Sequence, residues 1–66
     1  MRFGFNAKWK SRTFEKCILT VIEDCGDEAQ VMIYHGDTML DNIKVTKSYI
    51  ENNYDCIYEG FDNGRA

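Results

Sequence analysis

Sixty-six residues, 44% of them apolar, with a net charge of −3, allow one small globular domain and no more. No apolar run reaches the length of a membrane span or of a signal-peptide core, so no membrane partner is expected. Cys17, Cys25 and Cys56 stand at irregular spacing beside a single histidine, His35, which predicts free thiols in a reducing, cytoplasmic setting, with no metal site and no cofactor.

The charges are laid out unevenly. Residues 1–16 carry Arg2, Lys8, Lys10, Arg12 and Lys16 against Glu15, whereas residues 17–43 carry Glu23, Asp24, Asp27, Glu28, Asp37 and Asp41 with no Lys or Arg. A basic N-terminal edge and an acidic pole are expected, a property that speaks to partners rather than to fold.

In chain order, Phe3, Phe5, Ala7 and Trp9 alternate with Arg2, Gly4, Asn6, Lys8 and Lys10, the period of a half-buried strand. Ser11-Arg12-Thr13 interrupts it. Phe14 to Glu23 is β-branched and apolar on both faces in its second half, which predicts a long strand buried on each side. Asp24 to Glu28 supplies turn chemistry around Gly26. Ala29 to His35 alternates again, Gly36-Asp37-Thr38 turns the chain, and Met39–Thr46 reads as a fourth strand. Ser48 to Asn53 predicts a helical turn capped near Thr46 or Ser48, and Tyr54 to Glu59 a closing strand. One domain is expected over residues 1–60, with 61–66 as a tail.

Phe14, Cys17, Ile18, Val21, Ile22 and Cys25 also fit the spacing of an amphipathic helix. The alternative is therefore an α+β fold with a helix at about 13–25 on an antiparallel sheet. The density of Ile, Thr and Val favours the strand, because branched side chains lose rotamer freedom in a helix. Five short strands and one helical turn before the last describe an all-β, SH3-like barrel.

Phe5-Asn6-Ala7-Lys8-Trp9, then Phe14, then Leu19-Thr20-Val21-Ile22-Glu23, then Val31-Met32-Ile33-Tyr34-His35-Gly36 together resemble the strand order of a Tudor-type domain over about residues 5–50. That resemblance implies an aromatic pocket for a methylated Lys or Arg, held by cation–π attraction, with Trp9, Phe14 and Tyr34 as its walls. A plainer reading makes Trp9 part of the core, since it shares a face with Phe3, Phe5 and Ala7, and Tyr34 a cross-strand partner.

The expected function is a small non-enzymatic module that binds a protein, as a monomer or homodimer. Cys25 sits beside carboxylates that disfavour a thiolate, and no catalytic constellation accompanies His35. Two alternatives rest on the charge layout. In size and acidity the chain resembles phage or mobile-element accessory proteins that inhibit a host factor, which would use Asp24, Asp27, Glu28 and Asp37. A nucleic-acid partner would instead use Lys8, Lys10, Arg12 and Lys16 around Trp9 and Phe14.

Overall fold

The computed structural model describes residues 1–61. Strand β1 (Lys8–Ser11) is followed by β2 (Cys17–Cys25), β3 (Glu28–His35) and β4 (Thr38–Thr46), then helix α1 (Lys47–Asn53) and β5 (Tyr54–Tyr58). They form one antiparallel sheet in the order β4-β3-β2-β1-β5. The fold is all-β with one helical turn before the last strand. Residues 62–66, most of the expected tail, lie outside the described residues; Phe61, assigned to that tail by sequence, is bridged to Phe5.

Strand rather than helix prevails over residues 17–25. Cys17, Leu19 and Val21 are buried while Ile18, Thr20 and Ile22 are half-buried, a period of two. The helix alternative would have put Cys17, Ile18, Val21 and Ile22 on one buried face. Both neighbours of β2 supply backbone partners, with Leu19 opposite Trp9 on β1 and Ile33 on β3. The inward row Trp9–Leu19–Ile33 is therefore continuous across three strands. Ala7, Val21, Ala29, Val31, Ile50 and Tyr54 complete the core.

Two strands begin later than the sequence reading has them, and β2 runs on through Asp24 to Cys25, so that the turn expected over Asp24 to Glu28 narrows to Gly26 and Asp27. The first strand begins at Lys8, because Asn6 takes φ 69° and turns the chain out of the extended path. Arg2 to Phe5 instead folds back over the core, stacking Phe3 on Trp9 with ring centroids 5.0 Å apart. The second strand begins at Cys17 and not at Phe14. Ser11 Oγ accepts the backbone N–H groups of Thr13 and Phe14 at 3.1 and 3.0 Å, a local bond that favours a turn.

The remaining boundaries follow local chemistry. The two hairpin turns place Gly26 and Gly36 at positive φ, in the first of two turn residues as a type II′ hairpin requires. The Thr46 hydroxyl accepts the Tyr49 N–H at 3.2 Å and starts α1. Ile50 then lies fully buried against the sheet. β4 and β5 are the two sheet edges, and α1 carries the chain from one to the other.

Candidate binding groove

Strand pairing fixes what the sheet presents on the face turned away from the core. One row across it is Lys10, Ile18 and Tyr34, continuing to Met39 on β4. The next row is Lys8, Thr20, Met32 and Asn42. Between them lies a groove of about 550 Å³, lined by Phe5, Lys8, Ile18, Thr20, Met32 and Tyr34 among others, with no carboxylate among the described residues of its wall. Its size and mixed lining are those of an ordinary ligand site, apolar with a few fixed polar groups.

Lys8 supplies the fixed polar groups. Its ammonium donates to Asn6 Oδ1 at 3.0 Å and to Thr20 Oγ1 at 3.1 Å, and both of those residues also line the groove. The left-handed backbone of Asn6 brings its side chain to this position. Asn6 is itself anchored by donating its backbone N–H to the carbonyl of Val21 at 2.8 Å. A positive charge is thus seated on the groove wall by neutral acceptors.

The three aromatic residues singled out from the sequence do not converge. Trp9 is 0% exposed, packed under Phe3 with the Arg2 guanidinium 4.9 Å from its ring centroid. Its indole N–H donates to the Arg2 carbonyl at 2.8 Å. Tyr34 pairs with Ile18 and faces the groove, on the opposite side of the sheet from Trp9. Phe14 is 64% exposed in the β1–β2 connection. The register puts Trp9 in the row of Leu19 and Ile33 and Tyr34 in the row of Ile18, on opposite faces of the sheet, so the two do not wall one pocket.

The basic edge is also divided. Arg12 is committed internally: its guanidinium donates to Asp55 Oδ1 at 2.9 Å and to the carbonyls of Asn52, Glu51 and Tyr54 at 2.9, 3.0 and 3.2 Å. Lys8 is held on the groove wall, whereas Lys10 and Lys16 are exposed. The acidic residues form no single face. Asp24, Asp27 and Glu28 surround the β2–β3 turn, while Asp37 lies in the β3–β4 turn at the other end of β3. Eight extended residues put those turns on the order of 20 Å apart. Asp24 is moreover paired with Lys47 at 2.6 Å. That hydrogen bond, with a second from the Gly26 N–H, holds its carboxyl below the usual range.

Sequence reasoning named Lys8 and Tyr34 but missed Phe5, Ile18, Thr20 and Met32. The available signal was the apolar character of both faces of β2. Ile18 and Ile22, on the face opposite Leu19 and Val21, are half-buried residues lining an open groove and not a second buried layer.

No helix among the described residues is long and apolar enough to cross a membrane. The three cysteines are free thiols, and among the described residues no group of three or more His, Cys, Asp or Glu side chains is placed to hold a metal ion. The chain matches no protein-family model, no curated protein and no solved structure, so its functional reading rests on the groove and its surroundings.

Proposed function

We propose that this chain is a protein-interaction module of SH3-like, Tudor-like type, and that it binds through the groove on the outer face of β1–β3 rather than through an aromatic cage. The strand order, with a short helix leading into the last strand, supports the SH3-like reading. The observation that carries the functional reading is an apolar groove built on paired strands, with Tyr34 and Met32 on one side and the anchored Lys8 on the other. Side chains fixed by strand pairing bind with little ordering cost. The role is binding and not catalysis. An inhibitor acting through one acidic face has less support, because its four carboxylates are split between two ends of β3.

Site-specific photo-crosslinking in the cell that makes the protein tests this. A photoreactive side chain at position 32 should form a covalent adduct with a protein partner. The same group at position 57, exposed on β5, should not. Tyr34→Glu should abolish the position-32 adduct while the chain stays folded. Equal adducts at both positions, or none at 32, would remove the groove as the interaction surface.

A further inference from the structure

The charges around the groove carry the reading one step further, to the chemistry of the partner. We infer that the groove takes an acidic segment of a protein partner, seating an apolar side chain on Ile18, Met32 and Tyr34 and a carboxylate on the Lys8 ammonium. This rests on the groove being the binding surface.

The pairing pattern of the cations motivates it. Arg2, Arg12 and Lys47 each have a carboxylate within reach: Glu51 at 3.4 Å, Asp55 at 2.9 Å and Asp24 at 2.6 Å. Lys8, although half-buried, has no carboxylate partner among the described residues. A lysine ammonium has three N–H donors, and Asn6 and Thr20 engage two of them. A half-buried charge held only by neutral oxygens is stabilised further by an anion. Lys47, also half-buried, has its anion in Asp24; among the described residues Lys8 has none.

The surroundings favour the same sign. Lys10 lies in the row of Ile18 and Tyr34. Lys16 accepts the Gly36 N–H at its carbonyl, at 3.0 Å, and so stands at the Gly36 end of the groove. Asp55, opposite Lys10, is occupied by Arg12. Asp37 follows Gly36 in the chain but is not part of the groove wall. Of these three lysines, none with a carboxylate partner among the described residues, Lys8 lines the groove and Lys10 and Lys16 lie beside it, outside its wall.

The extent of the basic zone argues for a short acidic peptide over a nucleic acid. Beyond Met32 along β3, the same face carries Gln30 and then Glu28, with Glu23 opposite Gln30 on one side and Lys44 on the other, so the charge there is mixed. A polyanion of many phosphates would run from lysines onto carboxylates within a few residues. A segment of alternating apolar and acidic residues needs only one or two favourable positions.

Titration of the full chain, followed by amide and methyl nuclear magnetic resonance, tests the inference. The probes are three blocked hexapeptides, (Glu-Leu)×3, (Gln-Leu)×3 and (Lys-Leu)×3, and an octamer of thymidylate. The Glu peptide should shift the Ile18 and Met32 methyls and the Thr20 amide. It should bind at least about tenfold more tightly than the Gln peptide, the effect of one charge-assisted hydrogen bond. The Lys peptide should cause no change there. Lys8→Gln should bring the Glu peptide to the level of the Gln peptide. Because Lys8 also bridges Asn6 and Thr20, Lys16→Gln supplies a second variant away from those bonds, with a smaller, salt-sensitive weakening expected. Equal affinity for the Glu and Gln peptides, no peptide binding at these resonances, or their preferential shift by the thymidylate would each overturn it. Where position 32 still crosslinks a protein but the peptides do not discriminate by charge, the interaction module stands and only this inference falls.

Discussion

Arg12 donates from Nη2 to the carbonyl of Glu51 at 3.0 Å, across 39 residues of sequence. The same guanidinium reaches the carbonyls of Asn52 and Tyr54, so it caps the C-terminal end of α1, where helical carbonyls lack partners of their own. Its backbone N–H also donates to Asn53. A residue that looks like part of a basic binding edge holds the helix to β1.

Arg12→Ala should accordingly lower stability by about 1–2 kcal/mol, the range for several part-exposed bonds from one charged donor. Urea denaturation measures it. Arg12→Lys should restore only part of the loss, since a single ammonium cannot copy the planar fork. No change in midpoint for Arg12→Ala would show that the cap is incidental.

Trp9 and Phe14 should behave oppositely on truncation. Trp9 is fully buried and Phe14 largely exposed. Trp9→Ala should cost about 3–5 kcal/mol and leave the chain largely unfolded, while Phe14→Ala should stay within about 0.5 kcal/mol. Thermal unfolding followed by circular dichroism separates them. A large loss from Phe14→Ala would mean that the β1–β2 connection packs against something more than solvent.

Gly60 has the Phe5 carbonyl, the Ala7 nitrogen and the Gly4 carbonyl where a Cβ would stand. Its N–H donates to the Met1 carbonyl at 2.9 Å. All the obstructing atoms are backbone, so no rotamer change relieves them. Gly60→Ala should destabilise by about 2 kcal/mol or more and release the Phe5–Phe61 bridge, visible as faster hydrogen exchange at the amides of Phe5 and Phe61. Retained protection there would contradict the close crossing.

Tyr54 gives the protein an alkaline limit. Burial, and then its contact with Cys17 at 3.9 Å, push its hydroxyl from 10.0 to about 12. The folded state favours the neutral phenol, so this contribution is complete below pH 10 and is lost as pH rises through 10 to 12. Denaturation midpoints measured across that window should fall in the wild type and fall less in Tyr54→Phe. Parallel curves would remove Tyr54 as the cause.

Asp24 sets a matching acid limb. The Lys47 hydrogen bond lowers its carboxyl below 3.8, so the stability it contributes is present above pH 3.8 and lost as pH falls beneath it. The pair is part-exposed, which keeps the effect modest. Asp24→Asn should flatten the acid side of the stability curve without moving the alkaline side.

Elements that depend on neighbours in the chain were legible before any contact was known. The alternation of Ala29, Val31 and Ile33, the turn glycines at 26 and 36, and a helix cap at Thr46, one of the two positions expected, are local patterns that the structure bears out. Tertiary structure alone decided which faces are covered and by what. Period two divides Trp9 from Lys8 and Tyr34 from Ile33, but it does not reveal that Asn6 reverses the chain so that Phe3 closes over Trp9. Nor does it show that Arg12 is spent on helix carbonyls some 40 residues away, or that Ile18 and Met32 border an open groove instead of a second core. Those outcomes depend on contacts between distant segments, whose formation turns on packing and backbone pairing that no local spacing encodes.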